Sequence, residues 1–597
     1  MAITPITTKR RLRSYLVYDF EWVPGKFSED GTMPIRLCGV YDGDRYRVYN
    51  SVESFLNGEL TSKNRGKWFY AHAGGLADFQ FVLQRLIEMK GFTIEASTSG
   101  SSLIIVHVTR GKNQWHFVDS YWLLRDKLRN IGKWVGLSKG NEDEDENFYL
   151  EASFEKLREY NEVDCIILYR AIEAFEEALW ELGGMLKMTQ ASCAMELFRR
   201  RFLQRPIETS SFANHIARKA YLASRCEVFR KEVGNPCGHQ GDERCDPSCF
   251  NAWYYDVNSS FPHAMTFPVP GDLTSHYHNR MPDNFDSPFL ADVDVTVPDI
   301  LIPPLPARLG SEGRLFFPTG SWRGWFTSVD IELLLSVGGR VNSVYESATF
   351  ESRTDLAEYA RTLYDLRARS EGFLNIACKY MLNSVYGKFG EGTQKSALMV
   401  NPESPGTPEE GWVMLFPGCF ALTKQEDVPH EYVPIAAHIT AIARRTLYLG
   451  MSESTDVHYC DTDGFSTSDY LGPGVERVLG EFKLEKMLRQ GWFIHPKFYM
   501  LDGVEVKDGG YKELGDKGVR AKGFSKMTIE RFNHLASGGE LEVRRMARSK
   551  ELLTRGELTP REMVYRKSLR GTAVPKRLFY PDGYSRPWTI DELSSVF

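Results

Sequence analysis

Residues 458–465 read HYCDTDGF and set Asp461 and Asp463 two positions apart among apolar and aromatic neighbours. On a regular strand, side chains two apart share a face. A turn at Asp463 would instead present both carboxylates at a hairpin tip. Carboxylates this close repel unless a proton or a cation lies between them. Mg²⁺, hard and oxygen-seeking, is the natural partner. Taken alone, DTDG also reads as a plain polar turn. A third carboxylate comes from WYYDVNSSFPHAM, where Asp256 ends an aromatic β-run. Asp256 with Asp463 is enough to hold two ions about 3.5–4 Å apart, the arrangement for in-line phosphoryl displacement.

Two further groups of residues carry chemistry. In CKYMLNSVYGKFG, Lys379, Asn383 and Tyr386 fall at i, i+4 and i+7, one face of a helix. Gly387 leaves room for a flat group. A cation for a triphosphate and an aromatic ring for a base suit a nucleotide platform, and Arg367 upstream adds a second phosphate contact. An ordinary amphipathic helix would show the same spacing. Near the N-terminus, VYDFEW places Asp19 and Glu21 on one strand face. Asp78 follows a Gly-rich AHAGGLAD, and EYNEVD sets Tyr160 and Asp164 four apart on a helix. Four acids and a tyrosine suit a second two-metal site, one that activates water against a phosphodiester. Singly, each acid is more often a surface charge or a cap.

In this order, DVNSSFP, KYMLNSVYG and YCDTDG resemble the three polymerase motifs of family B DNA polymerases. HPKFYML resembles the family's Lys-x-Tyr motif, which implies Lys497 and Tyr499 near a primer terminus. The resemblance implies a palm, fingers and thumb, with Asp256, Val257 and Asp463 as metal ligands and Asp461 assisting at the primer 3′ end. Lys379 and Arg367 would bind the triphosphate, with Asn383, Tyr386 and Phe261 completing the nucleotide site. Phe261 stands where the family usually has Tyr; its ring would still block a 2′-hydroxyl. Gly464 replaces a usual Ser. The N-terminal acids resemble a DnaQ-like 3′–5′ proofreading exonuclease, with Asp19, Glu21 and Asp164 as its metal ligands. The second motif, HAGGLAD, departs from the HNGGxFD-like form. Ala73 and Ala77 replace side chains that grip single strands, so weak digestion is expected. Lys139, in LSKGNEDEDE, matches a catalytic lysine of the protein-primed branch.

That branch is also favoured by the chain's length, by room for two insertions at residues 262–353 and 390–457, and by WFTSVDIELL. Tyr221 in RKAYLASR matches its Tyr-x-Gly-Gly/Ala linker, while Leu222, Ala223 and Ser224 fit loosely. The resemblance implies primer-template DNA, deoxynucleotides and a terminal protein primer as partners. Two Mg²⁺ ions are implied per site, with Mn²⁺ an alternative. Extension of nucleic-acid primers, de novo starts, and a silent DNA-binding scaffold are the competing readings.

The positioning elements must therefore form an α/β multidomain protein. Expected are an RNase H-like exonuclease domain over residues 1–185, a connector with a Cys-rich insertion over 186–252, palm and fingers over 253–530, and a thumb with a basic C-terminal region over 531–597. In TSVDIELLLSVGG, Thr327 and Asp330 have capping-box spacing. The Pro/Gly-rich stretch at about 393–430 reads as a β-rich hairpin standing off the palm, closing a ring around DNA.

Composition constrains less. The 597 residues are 42% hydrophobic and 25% charged with net charge −6, which excludes a uniformly cationic protein but not a basic groove. TKRRLR and VRRMARSKELLTRGELTPREMVYRKSLRG are locally basic. No apolar run reaches the roughly 18 residues of a membrane span, so a monomeric, soluble intracellular protein is expected, in the host cytoplasm if viral or plasmid-borne. Four of the ten cysteines crowd into residues 226–249. Cys237, His239, Cys245 and Cys249 there could hold a structural Zn²⁺; free thiols or a Cys237–Cys249 disulfide are the alternatives.

Overall fold

The computed structural model describes every residue except 1, 9–13, 90, 100–101, 139–145, 235–249, 311–312, 393, 401–411, 417, 426–427, 476, 508–509, 525, 558 and 570–573. Lys139, Cys237, His239, Cys245 and Cys249 lie outside the described residues.

The N-terminal domain is built on strands dense in aromatic and β-branched residues, which suit a pleated, buried surface. These are β1 (Tyr15–Trp22), β2 (Ile35–Tyr41), β3 (Tyr46–Tyr49), β4 (Trp68–Ala71), β5 (Thr93–Ser99), β6 (Ser102–Arg110) and β7 (Asn113–Asp119). β4 lies parallel between β1 and β7, and the remaining pairs are antiparallel. Helix α1 (Asp78–Met89) follows the AHAGGLAD turn. Helix α2 (Phe154–Glu181) starts at Ser153, whose hydroxyl accepts from the Lys156 amide. Its apolar stripe, including Leu157, Leu168, Ala171, Ile172 and Phe175, is buried, as expected of an amphipathic helix on a sheet.

Connector helices α3 (Gln190–Arg201) and α4 (Ser211–Ala220) lead to β8 (Ala252–Val257). The first insertion is a four-stranded antiparallel sheet of β9 (Val269–His278), β10 (Phe289–Val297), β11 (Gly320–Thr327) and β12 (Arg340–Arg353), in the order β9-β12-β10-β11. At the end of β11, Thr327 and Asp330 form the reciprocal capping box that their spacing predicts. Arg444 then pairs with Asp330 at 2.9 Å, both buried. Helices α5 (Asp355–Arg369) and α6 (Gly372–Phe389) form an antiparallel pair.

The stretch expected to stand off the palm does something else. Strands β13 (Gln394–Val400), β14 (Trp412–Phe416) and β15 (Cys419–Gln425) pair with one another, and β13 pairs with β5. Leu398, Val400 and Cys419 enter the N-terminal core. The result is one ten-stranded sheet, ordered β14-β15-β13-β5-β6-β7-β4-β1-β2-β3. The reason is the alternation of Leu398 and Val400, which gives β13 an apolar face that the open edge of β5 can bury. Helix α7 (Val433–Ser452), inside the segment 390–457, is buried on nearly every side and packs in the same core as α3, α4 and α6.

The second large sheet carries β16 (Val457–Asp461), β17 (Gly464–Thr467), β18 (Phe482–His495) and β19 (Phe498–Lys507) around β8, in the order β16-β17-β8-β18-β19. Beyond it, Glu540–Met546 and Glu562–Ser568 form a two-stranded hairpin. This segment touches the N-terminal domain: the Glu562 amide donates to the Gly31 carbonyl at 2.8 Å, and Gln80 to the Ala547 carbonyl at 2.6 Å.

Candidate functional site: two carboxylate centres

The hairpin of β16 and β17 answers the question raised by DTDG. Thr462 has φ of 63°, so the chain turns there instead of continuing as a strand, and Asp461 and Asp463 stand at the tip. β8 pairs with β17, with Asp256 opposite Gly464. The Val257 amide donates to the Asp463 carbonyl at 2.9 Å. Val257 itself has a buried side chain. Gly464 is dictated by neighbours: a Cβ there would lie 2.9 Å from both the Tyr254 ring and the Tyr255 carbonyl. The family's usual Ser would clash in this setting.

Lysines face these carboxylates. Lys497 Nζ lies 2.8 Å from Asp461 and Lys483 Nζ 3.7 Å from Asp256. Lys497 has φ of 61°, and its amide donates to the Tyr459 hydroxyl at 3.0 Å. That bond holds the KFY turn against β16. Burial, then the nearby Asp463 and Glu485 charges, pushes the Asp256 carboxyl up to about 7. Burial and Asp461 push Asp463 up to about 6. Carboxyls raised by burial and by one another would be relieved by a divalent cation. Glu485 on β18 was not singled out by sequence reasoning. It sits where the β8–β18 register slips, a bulge that no sequence pattern announces.

A cavity of about 610 Å³ opens beside this hairpin, lined by Asp256, Asp461, Lys497, Tyr499, Arg520 and Lys522 among others. Tyr499 is largely buried and packs on Tyr459. On α6, Lys379 and Asn383 are exposed and Tyr386 is half-buried, so the predicted face points outward. Tyr386 stacks on Phe261 with centroids 4.2 Å apart and planes at 14°. Arg367, at the end of α5, is tied to α6 through its carbonyl, which accepts from Asn375 at 2.8 Å.

The second centre lies in the N-terminal domain. Asp19 and Glu21 of β1 and Asp164 of α2 bring one carboxylate oxygen each within 4.8 Å of the others. They line a cavity of about 320 Å³ with His72, Tyr149 and Tyr160. The two tyrosine hydroxyls are 3.2 Å apart. Asp78 is buried beside this centre: it accepts from the Phe20 amide at 3.2 Å and is pushed well above the carboxylate range by burial and by the Asp19 charge.

Asn161 was missed by sequence reasoning. Its amide donates to the Asp19 carboxylate at 2.9 Å, the Asp19 carbonyl at 3.1 Å and Glu21 at 3.1 Å. Gly39, opposite Asp19 on β2, makes this possible. A Cβ there would lie 1.7 Å from Asn161 Oδ1. The available signals were an Asn inside a helical acid motif and a Gly inside a strand, which marks close approach. Ala73, where the family has Asn, sits at φ of 58°.

An N-terminal α/β domain with a carboxylate pocket, joined to a palm sheet with a carboxylate hairpin and a helical fingers pair, is the architecture of a right-hand polymerase with an exonuclease-type domain. Comparison with known proteins agrees. The family described as DNA polymerase type B, organellar and viral, matches residues 137–404. A "DNA-directed DNA polymerase" of Enterobacteria phage PRD1 is 23% identical over 502 residues, 80% of this chain and 81% of the relative. A "Probable DNA polymerase" of Neurospora intermedia is 26% identical over 380 residues, 58% of this chain and 37% of the relative. One of Podospora anserina is 25% identical, with 72% and 42% covered. The chain therefore spans about two fifths of the length of these fungal relatives. The structure of phi29 DNA polymerase complexed with primer-template DNA shares the fold, with TM-score 0.71, 18% identity, 93% of this chain and 100% of that one. Over residues 137–404 the chain is thus similar to the type B DNA polymerases of the organellar and viral kind. Among the described residues, no helix is long and apolar enough to cross a membrane.

Proposed function

We propose that this protein is a template-directed DNA polymerase with 3′–5′ proofreading, started from a protein hydroxyl and able to displace a downstream strand. The observation that carries the reading is the meeting of Asp256, Asp461 and Asp463 at one hairpin, on a sheet that also bears the Lys497–Tyr499 turn. The match to type B DNA polymerases and the primer-template DNA and nucleotides bound in the phi29 DNA polymerase complexes support DNA and deoxynucleotides as partners.

Asp256 and Asp463, with the Val257 carbonyl, would hold two Mg²⁺ ions, or Mn²⁺; Asp19, Glu21 and Asp164 would hold the second pair. When bound, such ions lower the pKa of an attacking oxygen and neutralise charge building on the phosphoryl group. The chain's own residues do the rest. Lys379 and Arg367 bind the triphosphate, and Asn383 lies on the same face. The Phe261–Tyr386 stack forms the floor under the sugar and excludes a 2′-hydroxyl. Lys497 and Tyr499 hold the primer end, whose 3′-oxygen attacks the α-phosphorus in line as pyrophosphate leaves. In the N-terminal centre, Tyr160 orients the attacking water and Asn161 fixes Asp19 and Glu21. Zn²⁺ at Cys237, His239, Cys245 and Cys249 rests on composition and spacing alone, and elemental analysis of a Cys245→Ser/Cys249→Ser variant tests it.

Extension on a long template, with no primer, with an oligonucleotide, or with a terminal-protein candidate, tests the whole reading. Products that depend on the protein primer support it. Equal products from an oligonucleotide alone favour a nucleic-acid-primed enzyme. Binding without any extension would leave a DNA-binding scaffold. Deleting about residues 393–430 should shorten products and stop synthesis at a downstream duplex; unchanged product length on a gapped template would count against strand displacement.

A further inference from the structure

His276 and His278 are two residues apart on β9, so both imidazoles leave the same face of the first-insertion sheet. On β12, Glu346 lies directly opposite His278, and Ala348 opposite His276. Opposite residues of an antiparallel pair touch, and diagonal ones are within reach of long side chains. Ala348 is small, so Glu346 can lean diagonally, and its Oε1 lies 2.7 Å from His276 Nε2. The two imidazole centroids are 4.8 Å apart with planes at 65°. One ligand atom from each of the three residues lies within 4.8 Å of the other two. Asp292, across from Glu346 on β10, is engaged elsewhere: Arg323 donates to both its oxygens at 2.6–3.1 Å. The Phe212 ring of α4 packs on His276 at 4.6 Å and limits its rotation.

We propose that His276, His278 and Glu346 form a Zn²⁺ site built from residues that neither carboxylate centre uses. Two imidazoles and one carboxylate are a borderline-soft donor set that suits zinc over Mg²⁺. Zinc binds these donors at about 2.0–2.2 Å, so tetrahedral ligand atoms stand about 3.3 Å apart. The 2.7 Å contact therefore opens slightly and the other separations close, movements open to partly exposed side chains. A simple His–Glu surface pair would need only one histidine. Three protein ligands leave the fourth position to water. The ion would cross-link β9 to β12 and, through Phe212, set the insertion against the connector.

The test uses the full-length, tag-free chain stripped with chelator and then offered Zn²⁺ or Co²⁺ in excess Mg²⁺, which occupies the carboxylate centres. A Cys245→Ser/Cys249→Ser background removes the Cys-rich segment from the count. The expected result is about one Zn²⁺ per chain in that background, tetrahedral Co²⁺ absorption, and a higher melting temperature with Zn²⁺. All three should disappear in His276→Asn/His278→Asn, while Mg²⁺-dependent primer extension on an oligonucleotide persists. Glu346→Gln, which spares both histidines, should weaken Zn²⁺ binding at least about tenfold, since even an outer partner contributes about 10- to 100-fold. No Zn²⁺ uptake in the Cys245→Ser/Cys249→Ser background, or the same uptake with both histidines replaced, overturns the site.

Discussion

The two carboxylate centres solve one electrostatic problem in different ways. In the palm, Asp461 and Asp256 each have a lysine nearby, at 2.8 and 3.7 Å, and the groove beside them is lined with further cations. In the N-terminal domain, Asp19 and Glu21 are bridged by the neutral amide of Asn161 inside a pocket about half as large. A lysine can balance a carboxylate when no metal is bound, and it can also attract a polyanionic strand. An amide orients carboxylates without cancelling their charge. The palm groove thus sets cations beside its acids, whereas the Asn161 amide orients Asp19 and Glu21.

The sharpest break of this comparison is removal of a palm acid. Asp463→Ala or Asp256→Ala should abolish primer extension while DNA binding by gel shift persists; a variant keeping about a tenth of wild-type extension would contradict metal-borne chemistry there. Next, Asp19→Ala/Glu21→Ala should eliminate 3′–5′ digestion of a 5′-labelled single strand and leave extension intact. Asn161→Ala keeps every carboxylate yet should cost about 10- to 100-fold in digestion, the usual effect of losing a partner that orients a ligand. Wild-type rates for that variant would mean the amide bridge is only structural.

A smaller effect separates the centres by pH. The folded values of Asp256 and Asp463, about 7 and about 6, lie above the ordinary carboxylate value of about 3.9. A raised acid keeps its proton in the fold after the unfolded chain has lost it. The metal-free fold therefore loses stability as pH rises from about 4 to about 7. Mg²⁺ binds the ionised form, so its gain in melting temperature should be larger at pH 8 than at pH 5.5, and the difference should shrink in Asp256→Asn/Asp463→Asn. Equal gains at both pH values would dissociate the raised acids from cation binding. Smallest of all, Ala73→Asn should stabilise the fold by under about 1 kcal/mol, because Asn tolerates the left-handed backbone better. It should also raise single-strand digestion, by returning a side chain that grips a strand.

Much of the N-terminal centre was legible because side chains at i, i+2 on a strand and i, i+4 on a helix share a face. Asp19, Glu21 and Asp164 converge as their spacings imply, and the Phe261–Tyr386 stack joins two motifs more than a hundred residues apart. What escaped depends on partners that periodicity does not encode. Glu485 faces the palm acids only because of a bulge. Asn161 matters only because Gly39 leaves space. The β13–β15 strands were readable as strands, but not their partner, since sheet-edge pairing is decided by which edge remains open.

That pairing has a consequence for how the molecule can be divided. β5 would be the exposed rim of a seven-stranded sheet in a fragment ending near residue 185, with its backbone amides and carbonyls unpaired. Such a rim recruits other chains. In the intact protein, a segment about three hundred residues downstream in sequence caps it. The nuclease-like unit is therefore not a detachable module. Its sheet is completed only once residues 394–425 have been made, which ties the order of folding to the order of synthesis.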